Sequence, residues 1–497
     1  MASKYLLGID IGSSSVKAAL LNIETGKPVA SAFSPQSEMT ILSEKPEFAE
    51  QDPEMWWNEL INVMRLIKQQ LNYKEDEIAG IGISYQMHGL VCIDSNLKPL
   101  RDSIIWCDSR AVDLGNQAFT DIGEEKSLQN FLNSPGNFTA SKLAWVKQNE
   151  PEIYKKIFRI MLPGDYIALK LTGEVSTTVP GLSEGIFWNF KENRIATELL
   201  DHYNISKDLL SAIVPTFGEQ GRVSPGAAAL IGVKAGTPVS YRAGDQPNNA
   251  YSLNVLEPGE IAATAGTSGV VYGITDKVSY DKKSRVNAFV HVNHEPEKPR
   301  YGILLCINGT GSLNSWLRKQ VFSGLSYDEI NKLAAQIPVG SEGLRYYPFG
   351  NGAERVLENQ DPGAQLQGLQ FNHHQQAHLA RAAQEGIVFS LNYGMSVMSD
   401  MGMELKTIRA GYANMFLSNV FGETFANTTG CVVELYNTDG ALGAARGAGV
   451  GAGVFSDFKE SFRGMELIKR IEPKPSVQEK SIEAYQLWKE HLSSLTK

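Results

Sequence analysis

The stretch Lys4-Tyr-Leu-Leu-Gly-Ile-Asp-Ile-Gly-Ser-Ser-Ser-Val-Lys-Ala-Ala-Leu-Leu-Asn-Ile23 contains two apolar, strand-like runs, 4–11 and 15–23, broken by Gly12-Ser13-Ser14. A third run follows Gly26-Lys27-Pro28, and three such runs joined by short polar turns predict a β-meander. Asp52-Pro53 then offers a cap residue and a proline at the first turn. Met55, Trp56, Leu60, Val63, Met64, Ile67 and Leu71 follow at helical spacing. Further strands are expected around Ile78–Ser84 and Leu90–Asp94, and helices from about Asp108, Ser141 and Gly164, so the first half reads as mixed α/β.

The opening theme returns later in the chain. Glu260-Ile261-Ala262-Ala263-Thr264-Ala265 passes through Gly266-Thr267-Ser268-Gly269 into Val270-Val271-Tyr272-Gly273. Helical patterns begin at Leu313, Tyr327 and Gln376. They are followed by a strand near Leu405–Ile408, a helix after Asn414, a strand at Val432–Tyr436 and an Ala/Gly-rich helix from Asp439. Two halves of like layout predict a duplicated domain with a cleft between the copies. The join is expected near 240–255, where Arg242-Ala243-Gly244-Asp245-Gln246-Pro247 punctuates the pattern, giving domains 1–247 and 248–497.

Bulk properties agree with that division. At 497 residues the chain exceeds one ordinary core, and its 42% hydrophobic and 20% charged residues are those of a globular protein. A net charge of -9 without a dense basic block excludes a general nucleic-acid binder. No signal-peptide pattern opens the chain and no run approaches 18 apolar residues, so a cytoplasmic protein without a membrane partner is expected. Cys92, Cys107, Cys306 and Cys431 lack CxxC spacing and are expected to be buried, reduced thiols. His373, His374 and His378 form one cluster, which we read as the entry of a helix with a polar, solvated face rather than as a metal site.

Three segments bear on chemistry. The turn at Gly12-Ser13-Ser14-Ser15 offers N–H groups and hydroxyls to a phosphate chain, with Asp10 beside it for a hydrated Mg²⁺. The same residues also build ordinary hairpins. Gly266-Thr267-Ser268-Gly269 repeats that surface in the other half, and two such turns facing one cleft would grip a nucleotide from both sides. Neither GxxxxGK[ST] nor GxGxxG after a strand is present, which removes the P-loop and Rossmann readings. Asp245, flanked by small residues, suits a carboxylate that accepts a substrate hydroxyl proton, although Gly-Asp is equally a turn signal.

Taken together and in order, GIDIGSSSVK (8–17), QMHG (86–89), IIWCDSR (104–110), FTASKLAWV (138–146), LPGDYIALKLTGE (162–174), AGDQ (243–246) and GTSGVVY (266–272) resemble the FGGY family of carbohydrate kinases over nearly the whole chain. QMHG and the LPGDY stretch look most like its xylulokinase branch. The resemblance implies two actin-like, ribonuclease-H-like ATPase domains with an interdomain active-site cleft, sugar held mainly by the first half and ATP mainly by the second. It implies phosphorylation of a ketopentose, D-xylulose to D-xylulose 5-phosphate in pentose catabolism, with ATP and Mg²⁺. Another sugar or polyol as acceptor, such as L-xylulose, ribulose or glycerol, stays open. So does a non-catalytic actin-like ATPase or sugar sensor, against which the intact Asp10, Asp245 and GTSG set speaks.

Carried over by position, Asp245 is the proton acceptor and Asp10 the carboxylate that organises Mg-ATP through water. Met87 and His88 contact the ketose, with Trp106, Asp108 and Gln246 in the same pocket. Gly12, Ser13, Ser14 and Lys17 of the first hairpin, Gly266 and Thr267 of the second, and Gly311, Asn314, Gly411 and Asn414 belong to the nucleotide side. Many relatives are dimers, so a homodimer is open. Two departures stand out. Arg409-Ala410-Gly411-Tyr412-Ala413-Asn414 replaces a glycine-rich turn near the adenosine, which makes Arg409 or Tyr412 a candidate to stack on the base, and Gln384 stands at a usually apolar place.

Overall fold

The computed structural model describes residues 4–353 and 355–496. The meander forms as spelled: β1 (Tyr5–Ile11), β2 (Val16–Asn22) and β3 (Pro28–Ser34) pair antiparallel in sequence order. α1 (Pro53–Gln70) starts where the Asp52 side chain accepts the N–H of Glu54, and buries Trp56, Leu60, Val63, Met64 and Ile67. β4 (Ile78–Tyr85) runs parallel to β1. α2 (Pro163–Thr172) and α3 (Val179–Glu184) precede β5 (Val239–Gly244), which lies parallel to β4 and leads directly into α4 (Asp245–Ser252). The sheet order is β5-β4-β1-β2-β3. Arg242–Asp245 is therefore a strand running into a helix rather than a break between domains.

The second copy follows. β6 (Glu260–Ala265), β7 (Gly269–Thr275), β8 (Asn287–Val290) and β9 (Tyr301–Ile307) precede α5 (Gly311–Gln320), α6 (Tyr327–Ala334) and the long α7 (Gln376–Asp400). β10 (Thr407–Gly411), α8 (Asn419–Thr429) and β11 (Val432–Tyr436) complete its core. After α9 (Gly440–Gly451), β12 (Leu467–Ile471) and α10 (Pro475–Leu495) close the chain. The order in this sheet is β8-β9-β7-β6-β10-β11-β12. β9, β7 and β6 are antiparallel neighbours, and β10 and β11 continue parallel to β6. Both sheets thus hold a five-strand core of one pattern: a three-strand antiparallel meander whose first strand is followed sideways by two parallel strands. That is the actin-like, ribonuclease-H-like layout, present twice.

The chain divides into two compact units. The first runs to Asn254 and also takes in Phe289–Pro299 and Thr438–Met465; the second comprises Val255–Ala288, Arg300–Asn437 and the chain from Glu466. The division expected at 247/248 is thus displaced to 254/255, and α9 belongs with the first unit. Its Ala/Gly composition is the reason. Side chains on β1 alternate, with Leu7, Ile9 and Ile11 facing the core that includes Trp56 and Leu60, while Leu6 packs with Ala441, Leu442, Ala445 and Ala448 of α9. Helix and sheet meet backbone to backbone: a Cβ on Gly8 would lie 1.8 Å from the Ala441 carbonyl oxygen, and one on Gly82 would lie 1.9 Å from that of Ala444.

Among the described residues, no helix is long and apolar enough to cross a membrane. All four cysteines are free, but Cys107 is exposed and Cys306 half-buried, which departs from the expectation of four buried thiols. Because no side chain can yield at the α9 contact, Gly82→Ala is expected to destabilise the protein by about 3 kcal/mol or more, read from the midpoint of urea unfolding at unchanged slope.

Candidate active site

In the first unit the carboxyl ends of three parallel strands converge, the position where open α/β sheets place their ligands. Asp10 stands near the end of β1, Gln86-Met87-His88 leaves β4, and Asp245 leaves β5. Burial raises the Asp10 carboxyl above the ordinary range, and the charge of Asp439 adds to that while the nearby Ser84 hydroxyl and Lys17 oppose it. Lys17 Nζ lies 3.7 Å from Asp439 Oδ2. Asp439 also caps α9, accepting the N–H of Leu442 at 2.9 Å. Burial and then the charge of Asp10 push Asp245 up to about 7, against hydrogen bonds from Gln246. Asp10 and Asp439 form an all-oxygen donor set of the kind that suits a hard, partly hydrated divalent cation.

The first hairpin closes with the Gly12 N–H on the Ser15 carbonyl at 3.0 Å. Ser13 is engaged on two sides, its hydroxyl accepting the Trp106 indole N–H at 3.3 Å and its carbonyl accepting from Gln51 at 2.7 Å. Ser14 is exposed. Trp106, 40% exposed, therefore leans on the hairpin. Asp108 is different: it is fully buried, its carboxylate accepts from Arg110 Nε and Nη2 at 2.9 and 2.6 Å and from the Ala49 N–H at 2.6 Å, and it has no surface to offer a sugar. This corrects its assignment to the pocket. Asp108 anchors the loop behind Trp106, and the helix expected from it begins only at Val112.

Met87 is buried and His88 half-buried. His88 adopts a left-handed backbone (φ 62°), which is strained for a non-glycine residue and is held from several sides. Its Nδ1 is 2.9 Å from the Glu184 carbonyl oxygen, and its ring packs edge-on to Phe138. Lys142, fully buried, donates to the carbonyls of His88 and Ile105 at 3.1 and 2.9 Å. Burial lowers the Lys142 ammonium to about 8. Lys142, Glu184 and Asp439 were not singled out from the sequence. The FTASKLAWV motif contained the first, and a cap before an Ala/Gly-rich helix marked the third, but nothing local distinguishes a glutamate in Ser-Glu-Gly.

In the second unit the Gly266–Gly269 turn rests on the start of α5: the N–H groups of Gly311 and Ser312 donate to the carbonyls of Gly266 and Thr267 at 2.9 and 3.0 Å. Gly311 thus ties the turn to the helix with its own N–H already engaged, while Thr267 is exposed and Asn314 half-exposed one turn along. The Asn414 side-chain amide lies against Gly266, and Asn414 takes a left-handed conformation (φ 53°) after the turn that follows Gly411. Gly266, Thr267, Gly311 and Asn414 are thereby assembled on one face. Arg409 is not available to stack on a base, because it pairs with Glu260 at 2.9 Å and Glu434 at 3.3 Å from adjacent strands. Tyr412 is exposed. Gln384 is buried and satisfied, donating to Asn331 and accepting from Ser418, which accounts for a polar group at that place.

The histidine cluster does lead into α7, with His373 exposed and His374 half-exposed as a solvated face requires, but His378 is turned inward. Glu342 approaches His373 Nε2 at 2.6 Å and His378 Nε2 at 3.0 Å, and His378 is buried. The Nδ1 atoms of His374 and His378 accept backbone N–H groups of Gln370 and Gln375. When neutral, both rings therefore carry their proton on Nε2, leaving no lone pair there for a metal.

Asp245 makes two expectations. Turnover should rise with pH through about 7 as the carboxylate forms, visible as an acid limb in a kcat/KM profile. A carboxyl raised on folding contributes stability below its unfolded value near 4, and that contribution is lost as pH climbs to about 7. Asp245→Asn should therefore melt above wild type at pH 8 and level with it at pH 4, measured by calorimetry.

Comparison with known proteins extends this geometry. The N-terminal domain of the FGGY family of carbohydrate kinases matches residues 5–251, and the C-terminal domain of the same family matches 261–452. The xylulose kinase of Bacillus subtilis (strain 168) is 28% identical over 468 residues, covering 92% of this chain and 90% of its own. Among solved structures, a ligand-bound xylulose kinase from Lactobacillus acidophilus superposes with TM-score 0.90 at 23% identity over 100% of this chain and 98% of that one. Plasmodium falciparum glycerol kinase with ADP superposes with TM-score 0.86 at 22% identity over 99% of each chain.

Proposed function

Because the chain belongs to the FGGY family of carbohydrate kinases, and so is an ATP-dependent sugar kinase, we propose that its acceptor is the ketopentose D-xylulose and its product D-xylulose 5-phosphate. The observation that carries this reading is Asp245: a carboxylate at the end of β5, beside Asp10 and raised to about 7, is poised to take a proton at neutral pH. The xylulose kinase relatives and the Gln86-Met87-His88-Gly89 segment favour a ketose over glycerol.

In the proposed mechanism the sugar lies in the first unit against Met87, His88 and Gln246, with its terminal hydroxyl at Asp245. The exposed hydroxyl and the N–H groups of the Gly266–Gly269 turn, with Asn414 nearby, hold the phosphates of ATP. Lys17 and the first hairpin supply further donors. Asp245 accepts the hydroxyl proton as that oxygen attacks the γ-phosphorus in line and the ADP oxygen departs. Phosphoryl transfer asks little covalent work of the protein, so orientation and charge stabilisation provide most of the acceleration. Asp10 and Asp439 are the residues that would hold hydrated Mg²⁺, which when bound offsets charge on the phosphate oxygens.

The deciding experiment is ADP release with purified protein across D-xylulose, L-xylulose, D-ribulose, L-ribulose and glycerol. The highest kcat/KM is expected with D-xylulose, and a preference for any other acceptor overturns the assignment. Asp245→Asn should lower kcat by roughly 10²- to 10⁴-fold with the fold intact by circular dichroism. His88→Ala should raise the ketose KM by about tenfold, the worth of one hydrogen bond, and leave the ATP KM nearly unchanged. Equal rises in both would assign His88 a purely architectural role.

A further inference from the structure

α3 ends on Glu184, which the mechanism above does not use. The residue is 1% exposed, and its Oε1 has no hydrogen-bond partner. Its Oε2 fills the place of a missing side chain: a Cβ on Gly244 would lie 2.4 Å from that oxygen and 2.6 Å from Met87 Cγ. Glu184 is thus packed on the residue that precedes Asp245, against Met87, and its main-chain oxygen is the one that holds His88 Nδ1. The titratable groups facing it are Tyr85 from β4, Asp165 from α2 and Asp245 from α4, and Arg242 of β5 pairs with Asp165. The Arg242 guanidinium, the cation of this wall, is drawn to Asp165 at 2.9 Å and to the Ser176 hydroxyl at 3.2 Å.

Glu184 is closed to water against Gly244, and Asp245, half-buried, follows that glycine directly. Two carboxyl groups so near that the charge of one acts on the other do not both ionise near neutrality. Burial pushes Glu184 well above the ordinary carboxylate range, and the charges of Asp245 and Asp165 push it further.

We propose that Glu184 is a positioning residue acting through Asp245: it is the protonated member of a carboxyl pair built around Gly244, which leaves Asp245 as the member that ionises and accepts the hydroxyl proton. This rests on the reading of Asp245 given above. When Glu184 also ionises in alkaline solution, a second negative charge opposes the approach of the anionic γ-phosphate, and turnover falls.

Glu184→Gln preserves the size of the side chain and removes its ionisation. The infrared difference between wild type and Glu184→Gln at pH 7 is expected to contain a protonated-carboxyl stretch present only in wild type. In Asp245→Asn the same band should titrate at lower pH, since a neighbouring charge is gone. The alkaline limb of kcat/KM for the sugar should move up by at least one pH unit in Glu184→Gln, while the acid limb stays near 7. A difference spectrum without that band, or alkaline limbs that coincide, overturns the proposal. If Glu184→Gln does not fold, Asp245→Asn decides it alone, and an unshifted band there is the overturning result. The infrared arms need no turnover, so a chain inactive on every sugar would sink the xylulose assignment while leaving Glu184 to be judged separately.

Discussion

The contact between α9 and the first sheet is the constraint on which the site depends. Carbonyls of Ala441 and Ala444 sit where side chains of Gly8 and Gly82 would be, so the helix lies directly on the strand backbones. That depth brings the N-terminus of α9, with Asp439 as its cap, to the end of β1, where Asp10 emerges. A helix N-terminus favours negative charge, so part of the repulsion between Asp10 and Asp439 is offset there. A larger residue at the sheet face would lift the helix and separate the two carboxylates.

The site accumulates acids that would rather be neutral. Asp10, Asp165, Glu184 and Asp245 are all raised by burial before any other cause, and Arg242 pairs with only one of them. Such an arrangement works against folding and is characteristic of sites whose purpose is to meet a ligand. The strained backbone at His88 belongs to the same economy, since the loop is pinned by Lys142, Glu184 and Phe138 into a conformation it would not choose.

Much of this was legible in the residues. Strand–turn–strand at 4–23 and again at 260–273 announced the duplication, and the elements begun at Pro53, Ile78, Tyr327, Gln376 and Val432 formed where periodicity put them. Asp10 lies on, and Met87 and His88 follow, strands that the residue pattern predicted, whereas Asp245, read there as a turn at the domain join, lies at the end of a neighbouring strand that the pattern did not announce. What escaped was tertiary. The fate of Asp108 depends on Arg110 folding back upon it, and that of Arg409 on acids from two adjacent strands. The boundary escaped for a similar reason: an Ala/Gly-rich segment signals close packing without naming its partner, and α9 returns to a sheet whose first strand lies at the opposite end of the chain.

The raised carboxyl of Asp245 also reaches into thermodynamics measured far from catalysis. A group that is about half protonated near neutrality exchanges protons with bulk solution whenever a bound molecule alters its surroundings. The heat released on ligand association will then vary with the ionisation enthalpy of the buffer, and an apparent enthalpy from one buffer will mix recognition with proton transfer to the medium.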